Sequence, residues 1–213
     1  MSRSDELRAA AAEIWEAQYA HPFVRGIGDG TLDEERFRFY VRQDYLFLID
    51  YGRLLALGAA RAPGLAEMRR FAALAQGVLE TEMALHVGFA QRWGISAAEL
   101  EAEPLAPATR SYCDFLLRTA SLGDFAELCA ALLPCMWGYA EIGARLASEG
   151  PPEHAGYAAW IATYADREFQ ELARWARELV DGCAGDVSRM HAAFRTSSEL
   201  ELAFWEAAWA SSR

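Results

Sequence analysis

Cys129-Ala-Ala-Leu-Leu-Pro134-Cys135-Met-Trp-Gly138-Tyr139-Ala-Glu141 is the stretch around which the chain is organised. It is an apolar run of helical length with a proline inside it. Proline has no N–H to give, and its ring presses on the carbonyl one turn earlier, so a kink or opened turn is predicted just before Cys135. Gly138 removes a side chain and lets a neighbour approach the backbone. Tyr139 lies four residues after Cys135, so thiol and phenol share a helix face. Two readings of Cys135 stand side by side. It is a buried structural thiol in a core helix, or a reactive cysteine presented to a site.

The same periodicity continues on both sides. A first helix is predicted from a cap at Ser4 or a neighbour to about Ala20, ended by His21-Pro22. Phe23–Gly30, with three glycines, reads as a loop. Thr31 and Glu34 form a capping box for a helix from about Leu32 to Arg61. Pro63-Gly64 breaks the chain before a helix to about Trp93. Ser96 and Glu99 open a short helix, and Thr109–Ala120 forms another. Asp124 caps Phe125–Ser148, the helix that holds the opening stretch. Tyr157–Val180 is helical with a weak point at Thr163-Tyr164, and Asp186 caps a run to Phe194 that restarts at Thr196 and ends at Ala210. No strand-type alternation, tandem repeat or low-complexity linker occurs. The predicted fold class is all-α, a single compact bundle of seven or eight helices forming one domain over residues 1–213.

Composition limits the function classes. The 213 residues are 53% hydrophobic, enough for one sizeable core. The net charge is −11 and every basic residue is an arginine, with no basic patch for a phosphate backbone. No nucleic-acid partner is expected. The four cysteines, Cys113, Cys129, Cys135 and Cys183, form no Cys-x-x-Cys pair, which fits a reducing cytoplasm. No apolar signal core is seen, and no uninterrupted apolar stretch approaches the roughly 20 residues of a membrane span.

Three further constellations carry possible chemistry. Glu201 is followed by Phe204 and Trp205 at three and four, placing a carboxylate on a face with two large aromatics. A carboxyl so held loses hydration and becomes a proton donor, whereas an ordinary amphipathic helix would leave it exposed. Phe204 joins the predicted substrate contacts on this spacing. Glu206 falls on another face and reads as solvated charge. Asp44 sits inside the apolar stripe of its helix, between Tyr40/Val41 and Phe47/Leu48, so it is either paired with an arginine or reserved for a polar ligand. Tyr112 and Tyr164 are phenols in apolar segments, serving as core or as ligand contacts. The main rival chemistry is a di-iron carboxylate site. It is disfavoured because His86 follows Glu82 at four rather than three, and the helix with Tyr164 and Glu168 has no histidine. No metal and no cofactor are predicted.

Taken in order, His21–Gly30, Phe37–Leu46, Glu82–His86, Pro134–Tyr139 and Glu201–Glu206 resemble the motif series of the thiaminase II (TenA) family across essentially the whole chain. The resemblance implies a haem-oxygenase-like fold and a homotetramer. It implies that Cys135 is the nucleophile and Glu201 the catalytic carboxylate. Asp44 would bind the amino group of an aminopyrimidine, Phe47 would pack on the ring, and Tyr112, Tyr139 and Tyr164 would line the pocket. Leu200 departs from the family, many of whose members carry tyrosine there. The implied reaction is hydrolysis of 4-amino-5-aminomethyl-2-methylpyrimidine to the hydroxymethyl pyrimidine and ammonia, in some members with cleavage of thiamin. A non-catalytic regulator on the same fold is the alternative.

Overall fold

The apolar run in the middle part of the chain becomes a 25-residue helix, α9 (Phe125–Glu149), on which half of the other helices pack. Asp124 caps it, accepting from the Glu127 amide while the Glu127 carboxylate takes the Asp124 N–H. The computed structural model describes residues 1–211; the last two residues of the predicted domain lie outside them. In chain order α9 is preceded by α1 (Arg3–Ala10), α2 (Ala12–Ala20), α3 (Pro22–Asp29), α4 (Glu34–Arg61), α5 (Leu65–Gly77), a π-helical turn (Val78–Glu82), α6 (Met83–Arg92), α7 (Ala97–Ala102) and α8 (Pro107–Leu122). It is followed by α10 (Ala155–Ala165), α11 (Arg167–Gly182) and α12 (Val187–Ala210). No strand occurs among the described residues.

α9 packs on α8, α10, α11 and α12, and α4 packs chiefly on α5, α8 and α6. One core gathers Leu128, Leu132 and Leu133 of α9 with Leu54, Leu55 and Leu116. A second is aromatic, with Phe23, Phe37, Tyr40, Trp160 and Trp205 all buried. In such a core, truncating Trp160 or Trp205 to alanine costs about 3–5 kcal/mol.

Several predicted boundaries shift, each for a local reason. Phe23–Gly30 is not a loop. His21 caps α3 by accepting from the Phe23 amide, Pro22 occupies the first helical position, and Gly30 ends the helix at φ 79°. Gly26 is required because a Cβ there would lie 3.0–3.1 Å from Leu32. Asp33, not Thr31, caps α4, accepting from the Glu35 and Arg36 amides, while Thr31 donates to Asp29. Ser2 caps α1, and the first predicted helix divides at Ala11. The weak point near Thr163 is a break at Asp166, and α12 runs through Thr196 without one. The count therefore exceeds seven or eight mainly because predicted helices are split.

Pro134 is accommodated inside an unbroken α9. In the turn before it, the Ser197 hydroxyl of α12 donates to the Ala131 carbonyl at 2.6 Å. The backbone approach expected at Gly138 occurs instead at Gly143, where a Cβ would sit 2.6 Å from the Tyr164 backbone carbon; at Gly138 the nearest atom is Gln18 Oε1 at 3.8 Å. By length and composition α9 would be long and apolar enough to cross a membrane, its charged residues Glu127 and Glu141 interrupting the apolar run, but 72% of that window is buried inside the protein.

Candidate active site

A cavity of about 880 Å³ opens between α4, α5, the π turn, α9 and the α10–α11 junction. Of the eight predicted site residues, Asp44, Phe47, Cys135, Tyr139 and Tyr164 line it. Cys135 and Tyr139 do so together, as their spacing on one face requires. The remaining three, Tyr112, Glu201 and Phe204, are not among the lining residues; Phe204 packs on Phe47 and Tyr40. Cys135 is half-buried although it belongs to the core helix, because the cavity reaches it.

Glu201 and Cys135, far apart in the sequence, come close enough in the fold for each to shift the other's titration. Glu201 is 2% exposed. Its pKa is raised to about 8, first by burial; hydrogen bonds from Tyr112 and Cys135 pull it down, and the Asp44 charge pushes it up. The Cys135 thiol is pushed well above its ordinary range, first by burial and then by the charges of Glu201, Glu82 and Asp44. Cys135, the nucleophile that the family resemblance implies, is therefore a neutral thiol in the free site.

Proton counting supports a protonated Glu201. The Tyr112 hydroxyl lies 2.8 Å from Glu201 Oε1 and 2.9 Å from Ser197 Oγ, and Ser197 must donate to the Ala131 carbonyl. With Glu201 ionised, Tyr112 donates to it, and no hydrogen is left for the contact between Tyr112 and Ser197. With Glu201 protonated, the bonds run in one direction: Glu201 to Tyr112, Tyr112 to Ser197, Ser197 to Ala131.

Asp44 is 4% exposed and is paired with neither an arginine nor water-facing polar groups. His86 Nε2 lies 2.6 Å from its Oδ2, and the Tyr40 hydroxyl donates to the same oxygen at 3.0 Å. Tyr40 in turn accepts from Trp160 Nε1 at 3.1 Å. The third outcome, an imidazole partner, was hidden in the sequence because His86 is 42 residues away on another helix.

Glu82, His86 and Tyr51 are the site groups that the sequence left without a role. The π turn delivers Glu82 to the cavity wall, where its Oε1 accepts from the Tyr164 hydroxyl at 3.4 Å. π turns recur at functional sites because the extra residue redirects a side chain. The Tyr51 hydroxyl is buried near the Cys135 sulfur without an aligned hydrogen bond. Phe47 stacks on Tyr51 with centroids 5.5 Å apart and meets Tyr112 at 4.9 Å. Glu206 is exposed and meets His21 at 3.1 Å, away from the cavity. Among the described residues no group of three or more His, Cys, Asp or Glu side chains is disposed to hold a metal ion.

Known proteins are similar to this chain over nearly its whole length. An aminopyrimidine aminohydrolase of Halalkalibacterium halodurans is 44% identical over 98% of this chain and 96% of its own. A TenA homologue from P. horikoshii superposes with a TM-score of 0.93 at 32% identity, covering 98% of this chain and 99% of that one. A domain with a heme oxygenase-like fold from Shewanella denitrificans, 14% identical, superposes with a TM-score of 0.75 over 96% and 91% of the two chains, and so shares the fold. The model of the TENA/THI-4/PQQC family matches residues 8–211, which include the cavity, the cysteine of α9 and the carboxyl of α12. With a matching span of that extent and a relative at 44% identity, the chain belongs to the TENA/THI-4/PQQC family.

Proposed function

We propose that this protein is an aminopyrimidine aminohydrolase of thiamin salvage, converting 4-amino-5-aminomethyl-2-methylpyrimidine and water to the 5-hydroxymethyl pyrimidine and ammonia. The observation that carries the reading is Cys135 at the wall of a cavity that also presents Asp44, with the buried Glu201 carboxyl close enough to act on the thiol. A flat ring stacked against Phe47 and Tyr139 places its 4-amino group toward Asp44. Both protein bonds to that carboxylate fall on Oδ2, so Oδ1 is the oxygen for the substrate.

Glu201 works as acid and base in one step. It gives its proton to a ring nitrogen and takes the thiol proton as sulfur bonds to C6. No free thiolate is needed at any stage before attack. Electron density released from the ring nitrogen then breaks the bond from the methylene to the protonated amine, and the electron pair leaves with ammonia. Water adds to the methylene, and reversal of the first step expels sulfur as the ring nitrogen returns its proton through Glu201. The aromatic walls exclude bulk water from the methylene intermediate. A cavity of about 880 Å³ is large for one pyrimidine and leaves room for the thiazolium of thiamin as a second leaving group.

The test is Cys135→Ser, which abolishes release of hydroxymethylpyrimidine and ammonia while leaving the fold intact; unchanged turnover sinks the assignment. We further place the enzyme in the cytoplasm, where its four free cysteines stay reduced. We read it as a homotetramer on the family resemblance, to be checked by light scattering of the purified protein.

A further inference from the structure

Glu82 lines the same cavity as Cys135 and Asp44 but has no part in the steps above. Its carboxyl has one long hydrogen bond, from Tyr164, and among the described residues no arginine forms an ion pair with it. None of the residues lining the cavity is an arginine or histidine. A half-buried acid in such a place calls for a cation or a proton. Burial, and then the Asp44 charge, raise its pKa to about 7, against the opposing effects of the His86 charge and the Tyr164 hydrogen bond.

The substrate's own connectivity says where that cation would be. The amino group on C4, the aminomethyl group on C5 and the attacked carbon C6 are consecutive on the ring. With C4 turned to Asp44 and C6 to Cys135, the aminomethyl nitrogen falls between those two residues. Glu82 is, with Glu201, one of two acids whose charges act on both of them, and the one of the two that lines the cavity. It also sits one helical turn before His86, the partner of Asp44.

We propose that Glu82 is the catalytic acid and base of the leaving-group side, binding the substituent amine and then activating the water that replaces it. The inference rests on the aminohydrolase reading. Amine and carboxyl share one proton, which ends on nitrogen as the carbon–nitrogen bond breaks and its electron pair leaves with ammonia. Glu82 is then a carboxylate facing the bare methylene. It takes a proton from water as the oxygen bonds to that carbon, and returns to the protonated state for release to solvent.

A leaving group that needs no proton separates this role from a structural one. Thiamin releases neutral thiazole unaided. In Glu82→Gln, turnover of the aminomethyl pyrimidine is expected to fall about 100-fold or more, while single-turnover release of thiazole from thiamin stays within about 3-fold of wild type. Azide needs no general base, so with thiamin the variant yields azidomethyl pyrimidine. Wild-type turnover of the aminomethyl substrate by Glu82→Gln overturns the proposal. So does equal loss of both reactions with no azide adduct. If Glu82→Gln does not fold, Glu82→Asp carries the test: retained thiazole release with slowed ammonia release supports the role, and equal slowing overturns it. Wild-type protein that acts on neither substrate removes the aminohydrolase reading itself, and this inference with it.

Discussion

His86 Nε2 and Asp44 Oδ2 lie 2.6 Å apart in the interior of the protein, and the other face of the ring fixes its charge. Nδ1 is 2.9 Å from the Glu82 carbonyl, an oxygen that can only accept. Both ring nitrogens therefore donate, and the imidazole is an imidazolium paired with a carboxylate. Burial opposes that charge, but the Asp44 hydrogen bond and charge outweigh it, and the His86 pKa is raised. Removing one partner of a buried pair leaves a charge stranded, so His86→Ala is expected to lose on the order of 3 kcal/mol in denaturant unfolding. If His86 orients Asp44 for the pyrimidine, KM rises about 10-fold or more with kcat less affected, because the interaction is made equally in ground and transition states. His86→Gln, which keeps a donor toward Asp44, recovers part of the KM. A kcat loss with KM unchanged argues against the positioning role.

Stability should fall as pH rises from the acid range through neutrality. Glu201 titrates at about 8 and Glu82 at about 7 in the folded protein, against 4.5 unfolded, and His86 is raised above 6.5. Each group holds its proton more tightly folded than unfolded. Between the two values the unfolded chain has released protons that the native chain retains, so stability drops as pH rises from about 4.5 through about 8. The expected result is a melting temperature that declines over this window. Glu201→Gln removes one of the three contributions, so it flattens the decline and raises stability at pH 8, while turnover falls by about 100-fold or more. An unchanged slope would mean that Glu201 is ionised in the native state throughout.

What the sequence makes legible follows from how local each feature is. The pairing of Cys135 with Tyr139 is a four-residue spacing, and Asp44 stands out as a carboxylate in an apolar stripe. Both are visible without tertiary information. The partners are not. Tyr112 is 89 residues from Glu201 and His86 is 42 from Asp44, so neither bond leaves a periodic trace. The glycines of α3 look like loop chemistry, yet His21 and Pro22 start a helix there and Gly26 is spared a side chain because Leu32 passes it. The π turn inserts one residue into an otherwise helical pattern, which moves Glu82 to a face that a 3.6-residue period does not assign to it. Family resemblance supplied the roles of Cys135 and Glu201; spacing alone left each with an inert alternative.

Gly143 tests the packing that positions Tyr164. A Cβ at this position meets the Tyr164 backbone carbon at 2.6 Å, its Cβ at 2.7 Å and the Ala165 nitrogen at 2.9 Å. Backbone on the opposing helix cannot move aside as a flexible side chain would. Gly143→Ala is therefore expected to push α10 from α9 at a cost of about 1–3 kcal/mol. Tyr164 moves with its helix, so binding of the pyrimidine product weakens in the same variant. Gly138→Ala is the control, because its Cβ meets Gln18 at 3.8 Å, an ordinary contact. Equal stability of the two variants would show that the α9–α10 crossing is looser than described.

Thiol chemistry offers a test of whether Cys135 is neutral before substrate arrives. Cys183 is half-buried, and a hydrogen bond from Cys129 lowers its pKa against the effect of burial. Cys129 itself is buried and pushed well above the ordinary thiol range, first by burial and then by Cys183. Cys135 is raised first by burial and further by three nearby carboxyls. Since the thiolate is the alkylated species, iodoacetamide at pH 8 should modify Cys183 about 10-fold or more faster than Cys135. Modification of Cys183 leaves activity in place, because that residue caps α11 outside the cavity lining. In Cys183→Ser the fast phase disappears, and loss of turnover follows the slow phase that remains. Mass spectrometry of the alkylated peptides assigns each phase to its residue. Inactivation that tracks the fast phase would mean that Cys135 is already ionised in the free enzyme, and the proton transfer assigned to Glu201 would then have no thiol proton to carry.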